Sequence, residues 1–256
     1  MNFDILLKKA KLRLLRMHYE SKVGHIGGNL SALDVMVFLH SQVMQERDIF
    51  VLSKGHAAGA LYATLWVRGK LTDEDLATFH CDNTKLAGHP IAGWHHDIPF
   101  ATGSLGHGLS LAAGRALAKR LEKEEGMVYC LTSDGEWQEG SNWEALIFIA
   151  HHRLGNLTVL VDANGLQGFG KTVDVASMEP LGAKFQCHEV TVVEIDGHDP
   201  IALKSALEMK TDRPLIIILR TIKGHGVSYM ENLMEWHYLP MTEAQYLAAV
   251  EEVNSK

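Results

Sequence analysis

Apolar residues along this chain fall into segments with either helical or strand-like spacing. Near the start, residues 6–19 place apolar side chains three and four positions apart, against lysines and arginines, which predicts an amphipathic helix. Short apolar runs of strand length follow, and longer alanine- and leucine-rich segments separate them. Alternating strands and helices are typical of an α/β fold whose open, mostly parallel sheet is flanked by helices.

The pattern predicts strands at 47–52, 127–131, 157–161, 190–195 and 214–219. It predicts further helices at 57–67, 143–150, 199–209 and 242–253. Three more helices have a predicted start: one is capped by Asn29 or Ser31 and runs to about 43, one starts at 72, and one starts in the turn 103–108 and runs to about 121. Segment 143–150 is apolar almost all round, as in a helix buried in a core or a subunit interface. Segment 168–172 is a predicted glycine-rich loop and segment 221–238 is irregular. Segment 80–106 is a long predicted loop, and a loop that long in a compact domain is usually functional. We expect residues 1–256 to form a single domain without internal repeats.

Two polar turns end neighbouring strands in the middle of the chain. Ser133, Asp134 and Gly135 follow the run at 127–131, and Asn164 follows the run at 157–161. A helix long enough to connect two parallel strands lies between them, so Asp134 and Asn164 should meet at the carboxyl edge of the sheet, where such sheets bind ligands. Their oxygens suit Mg²⁺ carrying a phosphorylated cofactor. Taken alone, Asp-Gly and Asn-Gly pairs are more often simple turns.

Composition narrows the class of protein. A net charge of -7 gives no electrostatic footprint for nucleic acid, and no apolar run is long enough to span a bilayer. The first twenty residues form a basic amphipathic pattern rather than a signal peptide. Cys81, Cys130 and Cys187 lack metal-ligand spacing and an even count, which fits reduced thiols and predicts a cytoplasmic location.

Several motifs along the chain, taken in order, resemble the amino-terminal, diphosphate-binding half of transketolase, as found in bacterial enzymes split into two polypeptides. The motifs are GHIGG from residue 24, LSKGHAA from 52, GHP from 88, TGSLGHGLS from 102, SDGEWQEGSNWEA from 133, VDANGLQ from 161, IDGHD from 195, TIKGHGVSYMEN from 221 and EWH from 235. The resemblance implies a thiamine diphosphate-binding fold and the cofactors thiamine diphosphate and Mg²⁺.

The resemblance also implies roles for individual residues. Mg²⁺ would be held by Asp134, Asn164 and the main-chain carbonyl of Leu166; the cofactor would be contacted by His56, Gly103, Leu105, Gly135 and His237; the sugar would be contacted by His25, His89 and His237. Glu139 matches an acidic residue at a dimer contact. Imidazoles suit sugar hydroxyls because they both donate and accept protons near neutral pH.

Other histidines stay open or take a simpler explanation. His80, His95, His96 and His107 either touch substrate or lie on a loop surface. The pair at 151–152 lies at a predicted helix end, where favourable contact with the helix dipole is explanation enough. Three residues depart from the family pattern: Ser133 where glycine is usual, Tyr238 where glycine is common, and His225 in the preceding loop.

In this family the pyrimidine-binding domain supplies the glutamate that activates the cofactor. We therefore expect the chain to be inactive alone and to work with a separate carboxy-terminal subunit, as a heterotetramer, transferring a two-carbon ketol unit from a ketose or ketose phosphate to an aldose. Two alternatives are the α-type subunit of a 2-oxo acid decarboxylase or dehydrogenase and a non-catalytic assembly subunit. A nicotinamide dehydrogenase is disfavoured because no GxGxxG follows the first strand.

Overall fold

The protein is built around one parallel β-sheet in a computed structural model, which describes residues 2–255. The strands are β1 (Ile49–Leu52), β2 (Val128–Ser133), β3 (Leu157–Ala163), β4 (Leu166–Gln167), β5 (Gly170–Lys171), β6 (Thr191–Asp196) and β7 (Leu215–Arg220). The α-helices are α1 (Phe3–Ser21), α2 (Ile26–Phe38), α3 (Ala58–Val67), α4 (Asp73–Ala77), α5 (Gly108–Glu122), α6 (Gly140–His151), α7 (Thr172–Ala176), α8 (Leu181–Gln186), α9 (Pro200–Leu207) and α10 (Glu243–Ser255).

The main sheet has five parallel strands in the order β1-β2-β3-β7-β6. Ser133 in β2 lies opposite Asp162 in β3, so the residues that follow these two strands emerge side by side. β4 and β5 form a separate antiparallel hairpin. The predicted α/β fold, an open and mostly parallel sheet flanked by helices, is confirmed.

Apolar cores cover both faces of the sheet. Leu160 of β3 belongs to the core formed with α1, α2, α3, α9 and α10, whereas its neighbours Val159 and Val161 belong to the core formed with α5, α6 and α8. Successive side chains of a strand point to opposite faces, so a strand covered on both sides carries apolar residues at consecutive positions. This burial explains why β3 reads as a continuous apolar run rather than an alternating one.

Local capping sets the start of several helices. Thr72 and Asp75 form a capping box at α4, in which each side chain accepts a hydrogen bond from the other residue's backbone N–H. At α9, the Asp199 carboxylate accepts a hydrogen bond from the backbone N–H of Ile201 at 2.9 Å, and proline occupies the first helical position. These two helix starts agree with the sequence prediction to within one residue.

The predicted cap of α2 is wrong. The helix begins at Ile26, and His25, in the left-handed conformation with φ of 66°, precedes it. Asn29 and Ser31 lie inside the helix and direct their polar groups to other elements: Asn29 Oδ1 accepts from the backbone N–H of Ala60 at 2.7 Å, and Ser31 Oγ donates to Asp162 at 2.6 Å. Their side chains join buried networks instead of capping.

Two further predictions of helices need correction. α5 starts at Gly108, so the glycines at 103 and 106 form a turn before the helix. α6 has a buried face, as predicted, but Ile147 and Phe148 are 56% and 39% exposed, so the helix is not buried all round. Its outer face therefore exposes apolar side chains that another protein surface could cover.

The segment after β3 is more structured than predicted. Residues 168–172, predicted as a loop, lie in the β4–β5 hairpin and the start of α7, and α8 was not predicted either. These elements are two to six residues long, too short for a clear periodic pattern. Within residues 2–255, no helix combines the length and the apolar character needed to cross a membrane.

Candidate active site

Asp134 and Asn164 lie side by side at the carboxyl ends of β2 and β3. The Asp134 carboxylate accepts hydrogen bonds from the backbone N–H groups of Gly135 at 2.9 Å and Gly165 at 2.8 Å, and from Thr172 Oγ1 at 3.0 Å. Asp134 is 8% exposed and Asn164 is 9% exposed, so both side chains are almost buried at the base of a cleft. The predicted meeting of these two residues is confirmed.

Hydrogen bonds to the protein interior fix the orientation of the Asn164 amide. Its Nδ2 donates to Ser31 Oγ at 3.2 Å and to Asp162 Oδ2 at 3.3 Å, while its Oδ1 accepts from the backbone N–H of Leu166 at 3.1 Å. Since the nitrogen is engaged by the interior, the amide oxygen is the atom presented on the side of Leu166. A cation ligand needs the oxygen on that side.

Asp162 forms a buried ion pair beneath this site. It contacts Lys54 and Thr221, and it accepts a hydrogen bond from Ser31 Oγ; both Asp162 and Lys54 are fully buried. Burial alone would raise the pKa of the Asp162 carboxyl, but the adjacent Lys54 ammonium holds that pKa below its usual range. This pair was not predicted from the sequence, although a strand-internal aspartate requires such a partner.

A cavity of about 430 Å³ opens above these residues. Its walls include four imidazoles, whose ring centroids lie 5.2 Å apart for His25 and His237, 5.8 Å for His25 and His56, and 6.0 Å for His25 and His89. These four histidines come from four separate segments of the chain. The structure thus places every histidine of the predicted site around one cavity.

The four imidazoles are neutral near pH 7. Burial lowers the pKa of His25 to about 4 and that of His237 to about 3, and nearby positive or titratable groups, including Lys223, act in the same direction. Burial also lowers the pKa of His56 and His89. A neutral imidazole carries one N–H donor and one acceptor nitrogen, which matches a sugar hydroxyl.

Lys223, which was not predicted as a site residue, also lines the cavity. It is 2% exposed, and its ammonium donates to the Leu166 carbonyl at 3.4 Å and contacts His237 Nδ1 at 3.0 Å. Burial, together with the positive charge of Lys54, lowers the pKa of Lys223 to about 8. Because an ammonium only donates, Nδ1 of His237 accepts, and the proton of its neutral ring lies on Nε2.

The glycine-rich turn 103–106 forms another wall of the cavity. Gly103 has φ of 135°, and a Cβ at this position would lie 2.6 Å from the His89 ring. The backbone N–H of Gly106 donates to the buried Glu136 carboxylate at 2.9 Å, and Ser53 Oγ donates to the same carboxylate. Burial raises the pKa of Glu136. The turn therefore packs tightly enough to require glycine at 103 and is held from beneath by Glu136.

The remaining predicted residues divide between the cavity and the surface. Leu105, Gly135, Leu166, Ser133, Glu139 and Tyr238 line the cavity. His80, His95, His96 and His107 do not line it: His95 Nε2 contacts the Lys70 carbonyl at 3.2 Å, and His107 Nδ1 contacts the Ser104 carbonyl at 3.2 Å. The pair at 151–152 closes α6, as predicted.

A second polar cluster lies outside the cavity, where Asp34 meets His198 and His225. The two imidazole rings stack with centroids 3.4 Å apart, and their Nδ1 atoms lie 3.4 and 3.6 Å from Asp34 Oδ1. The backbone N–H of Ile222 donates to His198 Nε2 at 2.9 Å, so a neutral His198 carries its proton on Nδ1 and cannot bind a metal there. Although burial opposes it, the two neighbouring imidazoles lower the pKa of Asp34.

The donor set at the carboxyl edge fits a hard divalent cation. Asp134, the Asn164 amide and the Leu166 carbonyl are all oxygen donors, which Mg²⁺ prefers. Burial and the neighbouring Asp162 raise the pKa of Asp134, and a cation beside its carboxylate would relieve both effects. The Lys223 ammonium already lies against the Leu166 carbonyl, so this carbonyl faces a place where positive charge is accommodated.

Comparison with known proteins connects this geometry to a family. The model for "Transketolase, thiamine diphosphate binding domain" matches residues 9–253. An apulose-4-phosphate transketolase subunit from Phocaeicola vulgatus is 37% identical over 264 residues, covering 97% of this chain and 92% of that relative. A 6-deoxy-6-sulfo-D-fructose transketolase subunit from a Clostridium species is 37% identical over 246 residues, covering 91% of this chain and 90% of the relative.

Solved transketolases have the same fold. The crystal structure of transketolase from Campylobacter jejuni matches 99% of this chain with a TM-score of 0.90 and 30% sequence identity. This chain spans 43% of the length of that protein.

Proposed function

The chain belongs to the transketolase family through its thiamine diphosphate-binding domain, and we propose that it is the diphosphate-binding subunit of a Mg²⁺-dependent ketol-transfer enzyme. The observation that carries this proposal is that Asp134 and Asn164 lie at the base of a cavity, with the Leu166 carbonyl on the wall beside them, and that four neutral histidines line the same cavity. Oxygen ligands for a cation and imidazoles for sugar hydroxyls then share one space. We further propose that residues 1–256 form one domain.

The cation and the diphosphate would occupy the base of the cavity. Asp134, Asn164 and the Leu166 carbonyl would ligate Mg²⁺. The diphosphate would lie against the residues that line the cavity beside them, namely His56, Gly103, Leu105, Gly135 and His237. Lys223 adds a positive charge at the same place, which favours a diphosphate over a neutral ligand.

When bound, thiamine diphosphate supplies the electron sink for cleavage of a carbon–carbon bond in the sugar. The chain's own histidines would hold and orient the hydroxyls of a ketose. His237 would donate from Nε2, because Lys223 engages its Nδ1. His25 and His89, neutral near pH 7, can each donate one hydrogen bond to a ketose hydroxyl and accept another, and in this proposal they help to move its proton.

A separate partner subunit would complete the active site. Support comes from the names of the Phocaeicola vulgatus and Clostridium relatives, which describe each as one subunit of a transketolase. We propose that the partner carries the pyrimidine-binding domain and that the assembly is a heterotetramer. The exposed apolar face of α6, the helix that begins after Glu139 at the cavity rim, is a candidate docking surface. A cytoplasmic location stays a prediction.

The experiment titrates thiamine diphosphate and Mg²⁺ into the chain together with its partner, using calorimetry. We expect Asp134→Asn to weaken cofactor binding by roughly 100-fold, because it removes a charged ligand at a buried cation site. Asp212→Asn is the matched control: Asp212 is exposed and lies before β7, at the opposite edge of the sheet. Equal cofactor affinity in Asp134→Asn and Asp212→Asn would contradict the metal site.

A parallel activity assay separates ketol transfer from its alternatives. The donor panel contains ketose phosphates and a sulfonated ketose, since the relatives are named for such sugars, with pyruvate as the 2-oxo acid. Transfer of a two-carbon unit supports the proposal, whereas carbon dioxide release from pyruvate alone would indicate a decarboxylase. Absence of cofactor binding in the assembled complex would indicate a non-catalytic assembly subunit.

A further inference from the structure

Tyr238 connects the two ends of the cavity. Its backbone packs on the turn before His25: a Cβ on Gly24 would lie 2.4 Å from the Tyr238 carbonyl oxygen, and the backbone N–H of His25 donates to the His237 carbonyl at 3.0 Å. Its side chain reaches the other way, and the hydroxyl donates to the Gly168 carbonyl at 2.8 Å. One residue thus bridges the histidine wall and the β4–β5 hairpin.

Asn164 and Lys223 hold the base of the hairpin through the N–H and the carbonyl of Leu166, and Tyr238 holds its tip. The hairpin consists of two paired residues on each strand, Leu166 with Lys171 and Gln167 with Gly170, and a two-stranded hairpin of this size is marginally stable by itself. At its tip, Phe169 is 85% exposed. The hairpin nevertheless forms one wall of the cavity and carries the Leu166 carbonyl.

The contact at the tip is sterically specific. A Cβ on Gly168 would lie 2.6 Å from the Tyr238 hydroxyl oxygen and 3.4 Å from His237 Nε2. Glycine at 168 therefore lets the phenol approach the hairpin backbone closely enough to bond. The family pattern commonly has glycine at the position of Tyr238. A glycine there has no side chain and could not make this bond.

We propose that Tyr238 is a positioning residue that latches the 166–171 hairpin over the cofactor cavity and slows the release of bound thiamine diphosphate. The inference rests on the proposed function for the identity of the cofactor. The latch acts through the hairpin: with the hydroxyl bonded to Gly168, the wall that carries the Leu166 carbonyl stays closed against the base of the cavity.

The test compares Tyr238→Phe with Tyr229→Phe. Both variants keep the ring and lose one hydroxyl that donates to a backbone carbonyl at 2.8 Å, but the bond of Tyr229 is to Gln245 at the start of α10, not to the cavity wall. Hydrogen exchange of residues 166–171 is measured on the full chain without cofactor. Dissociation of thiamine diphosphate and the KM of the ketose are measured on the complex with the partner.

We expect Tyr238→Phe to speed hairpin exchange and cofactor dissociation by about 2- to 10-fold, the range for loss of one net hydrogen bond, with the ketose KM unchanged. Tyr229→Phe should match the wild type in hairpin exchange, cofactor dissociation and ketose KM. Hairpin exchange in Tyr238→Phe equal to that in Tyr229→Phe overturns the latch. A changed ketose KM with unchanged hairpin exchange also overturns it and makes Tyr238 a substrate contact.

The hairpin exchange separates this inference from the proposed function. If the wild-type complex binds no thiamine diphosphate, the proposed function fails, while faster exchange in Tyr238→Phe would still support a latched hairpin. If the cofactor binds and hairpin exchange is the same in both variants, the latch fails and the proposed function stands.

Discussion

At the scale of single residues, the candidate site depends on the buried carboxylate of Asp162, which does not line the cavity. Asp162 lies under Asn164, and the hydrogen bond from the Asn164 amide nitrogen to Asp162 keeps the amide oxygen on the side of the proposed cation. Lys54 makes the buried negative charge tolerable. The ion pair therefore contributes to the geometry of a proposed cation site whose cavity neither of its members lines.

Removing Lys54 tests this view. We expect Lys54→Met to lower the free energy of unfolding by about 3–5 kcal/mol, because the Asp162 carboxylate would stay buried without a countercharge. Adding Asp162→Asn to the same chain should recover part of the loss. The measurement is chemical denaturation of the wild type and both variants at the same neutral pH.

A surface ion pair provides the matched control. Arg16 and Glu20 pair at 2.8 Å on α1, with side chains 60% and 46% exposed. Arg16→Ala should change the free energy of unfolding by less than about 1 kcal/mol. If Lys54→Met behaved like Arg16→Ala, the buried pair would have no special role in stability.

Burial of His40 makes the stability of the folded chain depend on pH. His40 is 5% exposed in the π-helical turn that continues α2, and burial lowers its pKa to about 4. In the unfolded chain a histidine has a pKa near its ordinary value of 6.5, so between pH 6.5 and 4 the unfolded state binds a proton that the folded state does not. The contribution of His40 to stability is therefore fully present above pH 6.5 and is lost as the pH falls towards 4.

We expect His40→Leu to remove this contribution, which amounts to roughly 3 kcal/mol between pH 6.5 and 4. The measurement is the free energy of unfolding at several pH values across that range. His151→Leu, at the exposed end of α6, is the control and should keep the wild-type dependence on pH. An unchanged pH dependence in His40→Leu would contradict the assignment.

At the scale of elements, the long segments could be predicted from sequence and the short ones could not. Strands β2 and β3 were identified because burial on both faces leaves a continuous apolar run. The β4–β5 hairpin escaped because two residues per strand carry no period. Residues 168–172, indicated as a loop by the sequence, complete this hairpin, whose first strand carries the predicted Leu166 carbonyl.

The start of α2 illustrates a second limit of local rules. Asn29 and Ser31 are residues that favour helix caps, but both lie within the helix because their side chains gain buried partners there. His25 takes the left-handed position before the helix instead, which places its ring in the cavity. Such long-range partners cannot be read from neighbouring positions, so the same feature that misled the capping prediction builds the site.

At the scale of the whole molecule, motifs predicted more than periodicity did. The resemblance to the amino-terminal half of transketolase is confirmed by the family model and by the named relatives. Motif order also identified the histidines that surround the cavity. Lys223 and Lys54 were missed as site residues, although both lie within these motifs, since a lysine is ordinarily read as a surface residue until its burial is known.

The outer face of α6 predicts how the molecule assembles. Ile147 and Phe148 are exposed apolar residues on the helix that begins at the cavity rim. If this face meets the partner subunit, the double substitution Ile147→Ser with Phe148→Ser should weaken assembly by at least about tenfold, as loss of a buried apolar anchor does in other interfaces. Sedimentation of the mixed subunits measures the effect.

Leu247→Ser, at a comparably exposed position of α10, is the control and should leave assembly unchanged. Equal assembly of the α6 variant and the control would place the partner elsewhere. Weakened cofactor binding that follows weakened assembly would mean that the cavity becomes a complete site only when this face is covered.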